Sequence, residues 1–487
     1  LLNSLSIIDL RSFKSLRNRL CPVVTMYWDT KNVEKLVVGD IWSSPASYEN
    51  EVALCNFGSR FGGTPSERKA RDYILRKFKE YGLDAYTEPV KYTGWTRGTA
   101  RFEILSPIKK TLPVISLVQS PSTTKEGLKG EVVFMGDGIP KDFQAMADKL
   151  KGRIVMSTSR SPATYGRNIH RREKYGRAVQ AGAIGFIFMN SQPGKLQQTG
   201  SLRTNNIGQI PAISISYEEG HFLQQLLKFG SVQVRISLSN GSEPATSWYI
   251  IGEIPGNRYP EHEILIGGHY DGHDISSGAV DNATGTAVVM ELARTFGQFR
   301  GRFKRTIKFV TFPLEEMAIT GSTLYVRNYE KEMANIDLMV NLDGVGTPGR
   351  KTVSVQGFTE LVSYVQKLGD DIGYHLSTSS RLSHASDHFP FVTRGVPSIV
   401  LTTERTGVED RGYGHTEADT LDKVDPFTIK EAAMVAAFIV ARAANEEKPV
   451  ARHRTEMEVL DLMKKDDMEE ILKLVGLWDY FFPWPKS

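Results

Sequence analysis

Cysteine is nearly absent from this chain: Cys21 and Cys55 are the two in 487 residues, so disulfides cannot be what holds the fold together and a reducing compartment is permitted. Long apolar runs are missing as well. The longest, Ala432 to Ala441, has 10 residues, well short of the ~20 that span a bilayer, so nothing is expected to cross a membrane. A charge excess of one sign is also lacking. The net charge is +4, and Arg11, Lys14, Arg17 and Arg19 against Asp9 account for +3 of it within the first 25 residues. The remaining body has no global field to recruit nucleic acid.

What is present is ordinary globular material, 40% hydrophobic and 24% charged, in a chain long enough for several domains. Residues 1–25 mix Ser, Leu and Arg without a continuous apolar stretch. No secretory leader is read there, the segment is expected to be an extension or an ordinary helix, and the protein is placed in the cytoplasm. A confident helix starts at Thr64-Pro65-Ser66-Glu67, with Thr at the N-cap, Pro at N1 and Glu at N3. Ala70, Tyr73, Ile74, Phe78 and Tyr81 give it one apolar stripe, and Gly82 a stop.

The rhythm of the chain then divides it. Segments 26–106 and 246–447 are expected to form one α/β domain with a mainly parallel central sheet flanked by helices. The intervening 107–245, with short β-rich runs and a helix bearing Tyr175, Ala178 and Val179, reads as a smaller inserted α+β domain. A helical tail, 448–487, ends Trp478-Asp479-Tyr480-Phe481-Phe482-Pro483-Trp484. Such an aromatic cluster is expected to dock on the chain's own body or, with the insertion, on a second copy.

In parallel sheets ligands bind beyond the carboxyl ends of the strands, and there the chemistry-bearing residues collect. His269-Tyr270-Asp271 follows Ile264 to Gly268, Glu315-Glu316 follows Thr306 to Leu314, and Asp343 follows Ile336 to Leu342; Asp281-Asn282 and His415 join them. Acids at buried strand ends cost several kcal/mol unless neutralised, and no Lys or Arg lies beside these in sequence. Two imidazoles and three or more carboxylates without a thiolate suit Zn²⁺ or another divalent ion that favours nitrogen and oxygen. That many acids suit two ions sharing one carboxylate.

These segments, together with Asn341-Leu342-Asp343-Gly344 and Gly414-His415-Thr416-Glu417-Ala418-Asp419-Thr420, resemble the M28 family of dinuclear zinc exopeptidases over roughly 50–105 and 246–445. The stretch Gly267 to Asp274 is closest to the branch of carboxypeptidase Q-like enzymes and aminopeptidases, and 107–245 is similar to a protease-associated domain. The resemblance implies two Zn²⁺, with Co²⁺ or Mn²⁺ as alternatives. His269 and Asp343 would hold one, Glu316 and His415 the other, and Asp281 would bridge them. Glu315 would be the general base, and Asp271 would accept the second ring N–H of His269. The family pattern also implies a cis peptide at Asp281–Asn282, where Asn282 departs from the second Asp of some relatives.

The implied activity is hydrolysis of terminal peptide bonds, read as an aminopeptidase acting on peptides. A carboxypeptidase or dipeptidase is the alternative, for which Arg381, Arg394, Arg405 and Arg411 are the basic candidates. A non-catalytic receptor on the same fold and glutaminyl cyclisation are the rival classes. His384, Asp387 and His388 resemble a segment lining the site in relatives; His273 and Asp274 are explained equally well as loop geometry, and Asp419 as a turn group.

Overall fold

The computed structural model describes residues 30–404 and 412–484; the expectation for 1–25 and the candidates Arg405 and Arg411 lie outside them. Among the described residues two eight-stranded sheets organise the fold. The centre of the first runs Arg305–Phe312, Tyr259–His269, Ile336–Leu342 and Ser398–Thr403, all mutually parallel. Pro244–Ile254 is antiparallel to Arg305–Phe312 and carries Asp84–Thr93, also antiparallel, at that edge. On the other side Lys351–Ser354 is antiparallel to Ser398–Thr403, with Ser377–Ser379 parallel beyond it. The parallel core is thus flanked by antiparallel strands. Its four central strands are apolar on both faces: the helices Thr284–Gly297 and Pro426–Asn445 cover one, and Tyr325, Val326 and Phe391 from the helices Thr320–Asn328 and His388–Val392 pack on the other.

The second sheet is built from 100–238, in the order Lys110–Leu112, Ala100–Ser106, Gln233–Leu238, Leu128–Phe134, Ile154–Thr158, Gly185–Met189, Ala212–Ile215, Ile115–Ser116. One boundary therefore shifts. Ala100–Ser106, expected in the first α/β segment, pairs with Gln233–Leu238 and starts the second sheet. Periodicity could not reveal this, because the partner strand lies more than 125 residues further along the chain.

Local signals work as read. Thr64 accepts the N–H of Glu67, and Asp425 accepts that of Phe427 at the start of Pro426–Asn445. Glu67 differs from a capping box: its carboxylate accepts the N–H of Gly63 and reaches inward to the hydroxyls of Ser247 and Tyr270. The aromatic tail docks on its own chain. Phe481 is buried, its carbonyl accepts from Arg394, and the Arg327 guanidinium lies over Tyr480. The helix Met468–Val475 packs against Arg171–Gln180 of the second sheet's domain, where Arg177 bonds both Glu173 and Glu470. Among the described residues no helix is long and apolar enough to cross a membrane.

Candidate metal centre

His269 ends the strand Tyr259–His269 level with Phe312, and Asp343 follows Leu342 directly, so both leave the same edge of the parallel sheet. Gly268 permits this crowding. A Cβ there would sit 2.5 Å from the Leu342 carbonyl oxygen, closer than real contacts allow. Glu315 and Glu316 occupy the turn after Arg305–Phe312, and Asp271 shapes that turn: its Oδ1 and Oδ2 accept the backbone N–H groups of Glu315 and Glu316, each at 3.1 Å. His269 Nδ1 faces the backbone carbonyl of Asp271 at 3.2 Å and its Oδ1 at 3.5 Å. The expected orienting role is thus shared between that carbonyl and the carboxylate, whose main work is on the Glu315-Glu316 turn.

Asp281 sits in an irregular turn ahead of the helix Thr284–Gly297, and the Asp281–Asn282 peptide is cis. Asp419 holds the turn by accepting the N–H groups of Val280 and Asp281, at 2.7 and 3.1 Å. Burial raises its carboxyl to about 6, with the Asp281 charge adding to the effect. Asn282 explains its own departure from Asp: its amide donates to the Leu342 carbonyl at 2.8 Å while its oxygen accepts from Gly285 and Gly344. A carboxylate could not donate to that carbonyl. Arg60, which sequence reading missed, is fully buried and spreads its guanidinium over the carbonyls of Tyr270, Ser277 and Gly278, bracing the loop between His269 and Asp281.

Two groups of side chains result, His269, Asp281 and Asp343 in one and His273, Glu316 and His415 in the other, each with its ligand atoms within 4.8 Å of one another. Asp281 joins them. Its Oδ1 lies 3.3 Å from His269 Nε2 and its Oδ2 lies 3.1 Å from His415 Nε2. His269 Nε2 is 3.8 Å from Asp343 Oδ1, and His415 Nε2 is 3.3 Å from Glu316 Oε2. Ligand atoms about 2.0–2.1 Å from a tetrahedral ion are separated by roughly 3.3 Å, so these spacings fit the donor set of two small divalent cations. The buried Nε2 of His269 has no hydrogen-bond partner, as a metal-binding nitrogen would not. All five residues expected as ligands come together. His273 is the addition, a loop residue for which its position near His269 was the available signal.

The same residues are coupled electrostatically. Burial disfavours the imidazolium of His269, but the carboxylates of Asp271, Asp281 and Asp343 outweigh it and raise its pKa well above the usual value. Burial opposes ionisation of Asp281, yet His269 and His415 hold it well below the carboxylate range. Glu315 moves the other way. Burial, reinforced by Glu316, Asp343 and Asp387, raises it far above the usual value against the pull of His269. Burial pushes His273 down to about 3, leaving a neutral imidazole.

The centre opens on a cavity of about 1610 Å³, walled by both sheets' domains. His388 lines it, whereas Asp387 and His384 are buried behind it. Among the expected arginines, Arg381 is exposed at the cavity and bonded to the Gly166 carbonyl, and Arg394 is paired with Glu330 beneath the tail. Two buried arginines reach the cavity, Arg171 and Arg172, both from the helix Arg171–Gln180 and both missed by sequence reading.

Residues 249–440 match the family model Peptidase family M28, and residues 116–223 match the PA domain model. The chain carries a segment that matches peptidase family M28. It is 26% identical over 417 residues to carboxypeptidase Q of Xenopus laevis, covering 83% of this chain and 87% of that one. To aminopeptidase YwaD of Bacillus subtilis it is 28% identical over 425 residues, covering 85% and 87%. The crystal structure of a peptidase M28 precursor from Shewanella amazonensis superposes with a TM-score of 0.75 at 26% identity, covering 88% of this chain and 99% of that one. The M28 segment contains every residue of the two groups above, and the PA segment contains Arg172.

Proposed function

We propose that this M28 chain is a zinc-dependent exopeptidase that removes the N-terminal residue of peptides. The observation that carries the reading is the bridging position of Asp281, with one oxygen toward His269 and the other toward His415. His269 and Asp343 would hold one ion, Glu316 and His415 the other, and Asp281 would serve both. Nitrogen and oxygen donors without thiolate favour Zn²⁺, with Co²⁺ or Mn²⁺ as substitutes. Ions bound there would polarise the scissile carbonyl and acidify the attacking water.

The remaining steps belong to the chain. Glu315 borders the cavity beside the ligands and is the group left to accept a proton from the attacking water and return it to the leaving amine. Asp271 acts through the turn, fixing the backbone of Glu315 and Glu316 so that one carboxylate serves as base and its neighbour as ligand. An ammonium terminus entering this acid-rich edge finds carboxylate partners.

A second reading, a carboxypeptidase or dipeptidase, draws support from Arg172. Its Nη2 donates to the His384 carbonyl, but Nε and Nη1 have no hydrogen-bond partner although the side chain is 2% exposed. Burial lowers its pKa to about 10, and the nearby Glu315 charge opposes that shift. A guanidinium with unmet donors in the cavity wall is a natural partner for a substrate carboxylate. The cytoplasmic assignment draws support from Cys55, a buried free thiol that suits a reducing compartment.

The deciding experiment is hydrolysis of matched short peptides, free or blocked at each end. Loss of cleavage on N-acetylation, with tolerance of C-terminal amidation, is expected. Cleavage that survives N-acetylation but stops on amidation, with KM for the free peptide raised by Arg172→Met, would establish the second reading in its place.

A further inference from the structure

We infer that His273 is a fourth protein ligand of the second metal position, so that this position is closed by protein while the first keeps a place for water and substrate. The inference rests on the metal-centre reading above and adds to it a residue and an asymmetry.

His273 stands four residues after His269, beyond the strand end, and is 1% exposed. Its Nε2 lies 2.8 Å from Glu316 Oε2 and its ring centroid 4.3 Å from that of His415. The short approach to Glu316 lacks the angles of a hydrogen bond, and Nδ1 has no partner either. A buried imidazole that satisfies neither nitrogen is costly unless something absent from the polypeptide completes it. Its contact atom, Glu316 Oε2, is the one that also faces His415 Nε2 at 3.3 Å, and His415 in turn faces Asp281 Oδ2 at 3.1 Å. The ligand atoms of His273, Glu316 and His415 lie within 4.8 Å of one another, and Asp281 Oδ2 adjoins this group through His415 as the fourth donor.

The other side differs. Among the described residues His269, Asp281 and Asp343 make up that group, and Asp343 Oδ2 is occupied by the Ser386 hydroxyl. Four protein ligands fill a tetrahedral zinc shell, whereas three leave a position for water, the usual division between structural and catalytic sites. The geometry thus points to a tightly held ion at the second position and an exchangeable, reactive one at the first.

The test uses the full chain stripped of metal and titrated with Zn²⁺ by calorimetry, with metal content after dialysis as a second readout. The wild type is expected to take two ions in two separable steps. His273→Ala and His273→Gln should both weaken the tighter step by more than about 100-fold, beyond the ~10- to 100-fold of a supporting group, and leave the weaker step unchanged. Wild-type affinity in His273→Gln, whose amide can still donate to Glu316, would assign His273 as a hydrogen-bond partner and overturn the proposal. A wild type that binds no zinc, or one ion only, would instead overturn the metal-centre reading itself. If the variants do not fold, the wild type loaded with one equivalent of Co²⁺ decides by X-ray absorption. Two imidazoles around the ion are expected, and one would contradict the assignment.

Discussion

The Nε2 of His415 lies 3.1 Å from Oδ2 of Asp281, although the two residues are separated by 134 positions in the chain. Its Oδ1 lies 3.3 Å from His269 Nε2, so the two oxygens of Asp281 face two imidazoles. The carboxylates gathered there repel one another unless cations separate them. Chelation that removes the metal is therefore expected to abolish hydrolysis and to lower the melting temperature in the same samples. Full activity after verified removal would contradict this.

Neighbouring glutamates are assigned different work, and conservative substitutions separate them. Glu315→Gln should keep the metal content of the wild type while turnover falls by the ~10²- to 10⁴-fold typical of losing a general acid–base group. Glu316→Gln should lose metal. Parallel metal analysis and steady-state kinetics check both; exchanged phenotypes would mean that the roles are reversed.

Asp271 holds the Glu315-Glu316 turn through two backbone hydrogen bonds. Asp271→Asn keeps its size but can accept only one of the two backbone N–H groups now bonded to Oδ1 and Oδ2. An activity loss of about 10- to 100-fold is expected, with an unchanged circular dichroism spectrum. Wild-type kinetics in this variant would remove Asp271 from the account.

Away from the centre, Glu51 gives the fold a pH dependence. It is fully buried, one oxygen accepts from the Cys55 thiol and the other has no partner, and burial raises its pKa to about 8 from 4.5. Between those values the folded chain holds a proton that the unfolded chain releases, so this group makes stability fall as pH rises through the window. Glu51→Gln removes the dependence. Its melting temperature should exceed the wild type's by more at pH 8 than at pH 5, by roughly 2–4 °C per kcal/mol recovered, measured by calorimetry.

Much of this site is legible in the sequence because strand periodicity places residues. The runs ending at His269, Phe312 and Leu342 are parallel and apolar on both faces, so the side chains at and just past their carboxyl ends must emerge at one edge, and His269, Glu315, Glu316 and Asp343 do. The illegible parts arrive through tertiary approach. Arg60 braces a loop 210 residues away, and Arg172 belongs to the inserted domain; neither position carries a periodic signal. His273 is ambiguous for a related reason, since a loop residue has no face fixed by repeat geometry. Pro244–Ile254 is hidden because the return from the insertion continues directly into a strand of the other sheet.

The most direct measurement of the central claim is anomalous diffraction at the zinc edge from crystals of the full chain grown with Zn²⁺. Two peaks roughly 3.5–4 Å apart are expected, one on each oxygen of Asp281, the first contacted by His269 and Asp343 and the second by Glu316 and His415. A single peak, or peaks that leave Asp281 without contact, would contradict the account.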